Sequence, residues 1–298
     1  MKKLNKKPVG LTKMKFTISS DPEVHIFDTI KNRIVSSIPV MKNDKYSPLD
    51  LGKGIKAYAD SVLTEVALPV AKNKKEFINN FKESFSRLQK KLGNRYRLIP
   101  KSAHKYDDEE LKDKAAWEIG CSSTFCPYKQ SVNNPGGFKN NVRTGSTHIH
   151  LGNKKLQMHE NRELASKILD VFVGCSSVLF DKDDTAAERR LLYGQSGEMR
   201  FPAHGLEWRV LGGNVLSSPK IMDLVFDLVD HSLTFIESGT AQDILNKVNE
   251  KDVTNAINLC DKELAEKVLI QAGLPNDLLN RAKEEYSYDL YANWGIKA

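Results

Sequence analysis

Hydrophobic and polar positions change their spacing along this chain, and the changes divide it into sheet and helix. From Phe16 to Phe27 apolar and polar residues alternate as in a strand with one buried face, and Pro22 breaks the run where a bulge or edge position is expected. Residues 34–50 read as a further extended segment and a loop, and Ile55 to Leu68 as a strand pair. From Lys72 to Leu92 the period becomes helical: Phe77, Phe81, Phe85, Leu88 and Leu92 form one stripe, and Gly93 stands where such a helix would end. A second helix with a buried face is predicted from Glu160 to Leu179 through Leu164, Ile168, Val171, Phe172 and Cys175. A third opens at Ser218-Pro219, an N-cap followed by proline at the first helical position, and runs to about Ile236. Beyond Thr240 several short helical patterns are split by Gly273-Leu-Pro275. Residues 100–141 are polar and rich in turn residues, with Asn133-Asn-Pro-Gly-Gly137 as a break, and a loop of that length is usually functional or mobile.

At 298 residues and 40% hydrophobic content the chain can bury a sizeable core, in one large domain or two modest ones. No run approaches the ~18–20 apolar residues of a membrane span. The lysine-rich start lacks the apolar segment of a secretory signal, so the expectation is a soluble protein of the cytoplasm. Cys121, Cys126, Cys175 and Cys260 fit reduced thiols, and no second Cys or His pair at zinc spacing follows Cys121 and Cys126. The formal charge of +7 is concentrated: residues 1–15 hold six lysines and no acid, leaving 39 basic against 38 acidic side chains in the rest. Such an arm fits a flexible solubilising start or salt-sensitive contacts to a polymeric anion such as DNA.

The candidate chemistry lies on two short segments. His148 and His150 flank Ile149, and Glu207 and Arg209 flank Trp208, so on extended strands each polar pair shares one face while the apolar residue points into packing. Together they would offer the ligands and fixed positive charge that a metal-bound polyphosphate needs. Glu23, Glu65 and Glu207 each sit among apolar or β-forming neighbours, where an unpaired buried carboxylate is costly. Converging with one or two imidazoles they would form a hard-cation site suited to Mg2+; facing solvent on half-exposed strands they would form none. Arg189, Arg190, Arg200 and Arg209 fall within 21 residues, interleaved with Gly194, Gly197 and Gly205, and guanidinium forks bind carboxylate or phosphate oxygens in pairs. The small residues before His148, and Gly152 after it, would allow a ligand close to the backbone. The chain has no G-x-x-x-x-G-K-[ST] phosphate loop, no G-x-G-x-x-G after a strand and no G-x-S-x-G elbow. Nucleotide handling would therefore fall to a sheet carrying metal ligands and arginines.

Asp21-Pro-Glu23, Asp60-Ser-Val-Leu-Thr-Glu65, Arg143-Thr-Gly-Ser-Thr-His-Ile-His-Leu-Gly152, Tyr193-Gly-Gln-Ser-Gly197 and Gly205-Leu-Glu-Trp-Arg209 stand in a particular order. In that order the chain resembles phage-encoded carboxylate–amine ligases, type-2 amidoligases related to glutamine synthetase and glutamate–cysteine ligase, over residues 16–235. The resemblance implies an α+β, glutamine-synthetase-like fold: a curved, mainly antiparallel sheet with flanking helices, holding ATP and Mg2+ or Mn2+ on its concave face. Residues 1–15 would be a basic flexible arm, 16–235 the catalytic domain and 236–298 a helical C-terminal extension packed on it. The implied reaction phosphorylates a carboxylate from ATP and lets an amine attack the acyl phosphate. On that basis Glu23, Glu65, His150 and Glu207 would be metal ligands, with His148 beside them. Arg200 and Arg209 would act with Glu207 in catalysis and meet the γ-phosphate or the substrate carboxylate. Lys45, Arg143, Arg190 and His148 would be further nucleotide contacts.

The family usually has Gly-Gly before the paired histidines and Asp-Gly before the second glutamate, where this chain has Ser146-Thr147 and Asp60-Ser61; a Cβ disfavours positive φ. Segment 100–141 would close over the site, and a homo-oligomer fits relatives that share sites between subunits. Two other readings suit the residues. A kinase of the same fold would need no amine for a stable product. A non-catalytic nucleic-acid-binding protein would lose binding with residues 1–15 and keep it in Glu207→Gln.

Overall fold

Pro22 has no amide hydrogen to give a ladder, and at that residue the alternating N-terminal run bends out of one sheet and into another. The computed structural model describes residues 16–118, 123–133 and 140–297. Before the bend lies β1 (Thr17–Ser20) and after it β2 (Glu23–Asp28). There follow β3 (Arg33–Val35), β4 (Leu49–Gly52), β5 (Ile55–Asp60), β6 (Leu63–Ala67), β7 (Tyr96–Ile99) and β8 (Ala103–Lys105). The later strands are β9 (Thr124–Cys126), β10 (Ser131–Asn133), β11 (Val142–Thr144), β12 (Ile149–Gly152), β13 (Met199–Arg200) and β14 (Gly205–Trp208).

One sheet runs β1-β12-β14-β13-β9-β10 and a second β3-β2-β6-β5-β4 with β7 also on β2, while β8 and β11 pair separately. The described strand pairs are antiparallel. Main-chain bonds stitch the sheets at the bend: Val66 N donates to Pro22 O at 3.0 Å, Leu68 N to Ser20 O at 3.1 Å and Glu23 N to Ser146 O at 2.8 Å. The architecture is thus α+β, with curled antiparallel sheets and helices packed against them.

The helix Lys74–Leu92 follows its apolar stripe, with Phe77, Phe81, Phe85 and Leu88 buried. Asn73 caps it by accepting from Glu76 N at 2.9 Å, and Glu76 reaches back to Lys72 N at 2.8 Å. Its stripe meets Phe226 of the helix Pro219–Ser238 and Trp294 of the short helix Leu290–Trp294. The Tyr291 hydroxyl donates to Gln89 Oε1 at 2.6 Å, and Trp294 Nε1 donates to Leu216 O at 2.7 Å. One apolar core accordingly extends from Phe16 to Ile296.

Two expectations are revised. The helix expected from Glu160 to Leu179 runs without interruption from His159 to Phe180, but it carries a π turn at Asp170–Gly174 between the α segments His159–Leu169 and Cys175–Phe180. Asp170 there accepts from Trp208 Nε1 at 2.9 Å, and a Cβ on Gly174 would lie 2.7 Å from Ile257. The extra residue in the turn aims a buried carboxyl at β14, which apolar periodicity does not register.

Residues 100–141, expected as a loop, contain β8 to β10 and one-turn helices at Asp108–Leu111 and Lys114–Trp117. Tyr106, Leu111 and Ala116 pack with Val62 and Leu63 into a second small core. Residue 134 onward in the Asn133-to-Gly137 break, Cys121, and the arm at residues 1–15 lie outside the described residues. Residues 34–50 include the one-turn helix Ile38–Met41 besides β3 and β4. No described helix is long and apolar enough to cross a membrane.

Burial pushes the Asp170 carboxyl up to about 7, against hydrogen bonds from Trp208, Tyr128 and the Gly197 backbone. The folded chain then keeps a proton that the unfolded chain releases near pH ~3.9, so the group's stabilising contribution is complete below that pH and is lost as pH rises through about 7. Asp170→Asn retains an acceptor for Trp208. Urea unfolding should therefore show the stability of the variant relative to the parent rising between about pH 4 and about pH 8. A constant difference across that range would contradict this account.

Candidate active site

The ladder register lines up the chemistry. Across β1, β12, β14 and β13 the paired positions are Ser19, His150, Glu207 and Arg200. Across β2, β6 and β5 they are Glu23, Glu65 and Tyr58. Asp21, at the bend, joins the two rows. Asp60 ends β5, and Ser61 after it takes φ 52, the left-handed conformation for which glycine is the easier residue, with its Oγ donating to Ala116 O at 2.8 Å.

The side chains form two adjoining triads. Asp21, His150 and Glu207 make one, and Glu23, Asp60 and Glu65 the other; within each, one potential ligand atom per residue lies within 4.8 Å of the other two. His150 Nε2 is 3.1 Å and His148 Nδ1 2.9 Å from the Asp21 carboxylate. Arg209 is ion-paired with Glu207 and bonded to the Tyr193 hydroxyl, and Arg200 Nη1 lies 3.4 Å from Glu207 Oε1. The Tyr58 hydroxyl donates to Glu65.

Like charges directly opposed on neighbouring strands repel, and Glu23 faces Glu65. Burial, with the charge of Asp60 added, pushes the Glu23 carboxyl up to about 8, while Arg209 pulls the other way. Burial together with Asp21, Glu23 and Asp60 raises Glu65 well above the carboxylate range. Burial raises Asp60 too, opposed by Lys45. Asp21 moves in the opposite direction: burial would raise it, but the imidazoles of His148 and His150 outweigh that and keep it ionised. His148 is depressed to about 3 by burial and Arg209 and is a neutral imidazole. With its Nδ1–H donated to Asp21, its buried Nε2 carries the lone pair and has no hydrogen-bond partner. Crowded carboxylates with few compensating cations, beside the neutral His148 imidazole and the His150 ring, fit a divalent hard cation.

The structure thus brings together Glu23, Glu65, His148, His150, Arg200, Glu207 and Arg209. Lys45 stands apart, with Lys42, in a cavity of about 360 Å3 that reaches Asp60. Arg143 and Arg190, expected at the nucleotide, are not brought to the carboxylates. Arg143 is buried and donates to the carbonyls of Ala116 at 2.9 Å and Asn140 at 2.7 Å. Arg190 is buried and donates to Gly194 and, at 2.7 Å, to Val210 O. Both guanidinium groups are occupied with main-chain oxygens that have no strand to pair with.

The glycines likewise admit protein instead of a ligand. A Cβ on Gly152 would run into Thr17 Oγ1, and one on Gly194 into the Arg189 guanidinium. That arginine, 1% exposed, donates to Gly145 O, Val210 O and Arg209 O and to Ser146 Oγ, tying the segment before His148 to the end of β14.

Sequence reasoning missed Asp21, Asp60 and Tyr58 as site residues. Asp60 and Tyr58 had a signal: in a hairpin turning at Ser61-Val62, Asp60 pairs with Leu63, which sets Tyr58 opposite Glu65. Asp21 is two residues from Glu23, on the same side of an extended chain. Cys126 is buried with its Sγ 3.6 Å from Ser196 O and belongs to neither triad.

A family model described as phage phiEco32-like COOH.NH2 ligase-type 2 matches residues 78–272. That span holds His148, His150, Arg200, Glu207 and Arg209; Asp21, Glu23, Asp60 and Glu65 precede it. The crystal structure of a bifunctional glutathione synthetase from Pasteurella multocida aligns with 94% of this chain and 48% of its own, at 11% identity and a TM-score of 0.41. The chain spans about half the length of that protein, and a likeness of this degree carries no inference about reaction. No curated protein matches the sequence.

Removing one of three mutually repelling carboxylates should relieve the folded state. In chelator, Glu65→Gln is expected to melt a few degrees above the parent, since sites of this kind are built at the expense of stability. Mg2+ or Mn2+ should then raise the melting temperature of the parent and leave the variant unmoved. Calorimetric scans showing a less stable variant with an undiminished metal response would refute the assignment.

Proposed function

The chain belongs to the phage phiEco32-like COOH.NH2 ligase-type 2 family, and from that premise we propose that it is an ATP- and divalent-metal-dependent enzyme that joins a carboxylate to an amine through an acyl phosphate. The observation that carries the reading is the pair of adjoining triads with Arg200 and Arg209 at their edge. Asp21, His150 and Glu207 would hold one Mg2+ or Mn2+ and Glu23, Asp60 and Glu65 another. Cations there would neutralise phosphate charge that otherwise repels the nucleophile.

The chain's own groups do the positioning. Arg209, 1% exposed and fixed by Glu207 and Tyr193, is a preorganised donor, while the Arg200 side chain, 21% exposed, is within reach of substrate oxygens. Lys45 and Lys42 offer ammonium groups on the far side of Asp60. A carboxylate oxygen would attack the γ-phosphorus of ATP and release ADP. The amine nitrogen would then attack the acyl carbon, expel phosphate and lose a proton. We read the curled antiparallel sheets, with opposed rows of functional side chains, as a glutamine-synthetase-like arrangement. Residues 16–235 would be the catalytic domain and 236–298 its packed extension, supported by the anchoring of Tyr291 and Trp294. Free thiols at Cys126, Cys175 and Cys260 suit a reducing cytoplasm.

Thermal unfolding with Mg2+ and a non-hydrolysable ATP analogue tests the reading without knowledge of the substrates. At about 100 times the Kd, the parent should gain about 2.7 kcal/mol, and Glu207→Gln and Glu65→Gln should gain little. Hydroxylamine supplied as the amine should trap the acyl phosphate as a hydroxamate once the right carboxylate is present. A parent indifferent to saturating Mg2+-nucleotide would overturn the proposal.

A further inference from the structure

In each ladder row the residue paired with a glutamate addresses one oxygen of its carboxylate. Arg200, opposite Glu207, lies 3.4 Å from Oε1, the same oxygen that Arg209 engages. Tyr58, opposite Glu65, donates its hydroxyl hydrogen to Oε1 of that carboxylate. The arginines bring positive charge and have a part in the proposed reaction. Tyr58 brings a neutral hydroxyl on a half-buried ring that lines a cavity together with Asp21, Glu65 and His150, and no step of that reaction uses it.

Resting on the metal assignment proposed above, we infer that Tyr58 is a positioning residue that sets the ion preference of the second triad: by holding one oxygen of Glu65 it confines that carboxylate to ligation through the other, and so favours Mg2+ over Ca2+. The two ions ask different things of a carboxylate. Ca2+ takes about six to eight oxygens in a flexible shell that often includes a glutamate bound through both of its oxygens, while Mg2+ demands a near-octahedral shell and gives up its waters reluctantly. Three carboxylates crowded as Glu23, Asp60 and Glu65 are would attract either ion by charge alone, so geometry has to discriminate. A donor on Oε1 makes that oxygen the poorer ligand and fixes the tilt of the carboxylate plane, which is how groups behind a ligand tune a metal site. The ladder holds the donor in place. Ala57 and Val66, the neighbouring pair on the opposite face of β5 and β6, are fully buried, so the strand segment beneath the phenol is anchored by the core.

The test is calorimetric titration of the full chain with MgCl2 and, separately, with CaCl2, read on the binding event that Glu65→Gln removes. The parent should hold Mg2+ at least as tightly as Ca2+, a comparison that needs no further variant. Tyr58→Phe keeps the ring and loses only the donor, so it should fold, which its melting in chelator checks. Its ratio of Mg2+ to Ca2+ affinity should fall by about ten-fold or more. A purely structural loss would weaken both ions by one common factor. Equal weakening, an unchanged ratio, or a parent that already prefers Ca2+ would each overturn the role of Tyr58 while leaving the metal assignment standing. A parent that binds neither ion, or whose binding Glu65→Gln does not touch, would overturn the metal assignment and this inference with it.

Discussion

Glu23, buried, and Glu65, half-buried, are set directly opposite each other on neighbouring strands, with Asp60 and Asp21 close by, and the rest of the structure works to hold that repulsion in place. A sheet can do so because its other face is committed. Val24 and Val66, the next residues along the same two strands, are fully buried, and behind them lies the aromatic stripe of the helix Lys74–Leu92. A register slip that separated the glutamates would turn those valines to solvent. The energy of the apolar core is therefore what keeps the carboxylates crowded, and crowding is what suits them to a cation.

The bend at Asp21-Pro22 adds the second half. A continuous strand would have kept Glu23 in the same sheet as His150. Because the chain bends, the β12 and β14 side chains approach from one sheet and those of β5 and β6 from another, with Asp21 at the bend completing the first group. Single carboxylate rows are common on strands; two rows meeting at an angle make a pocket.

The arginines show how little residue type says about role. Arg189 and Arg190 are neighbours in sequence with Arg200 and Arg209 close behind, yet the first two are internal ties between loops and the last two lie at the triads. What separates them is the supply of unpaired carbonyls. The segments around Gly194 and Val210 leave main-chain oxygens without strand partners, and a long fork is the side chain that can satisfy several at once. Arg143 does the same for Ala116 and Asn140.

Alternation and helical period, which are local, were enough to place β1, β2, β5, β6 and the long helices, since burial of one face is decided within a few residues. The alternation around Ile149 and Trp208 likewise placed His148 with His150, and Glu207 with Arg209, on shared faces, and both apolar residues are fully buried. The order of motifs pointed to the family. Beyond those limits lay everything set by contacts between distant segments: the π turn that aims Asp170 at Trp208, Asp21 and Asp60 as members of the triads, and which arginines turn inward. It is the ladder register that puts His150 beside Glu207, and Glu23 beside Glu65. Register is an agreement between strands remote in sequence, reached through packing and hydrogen bonding that no one segment contains, and so only the tertiary structure decided it.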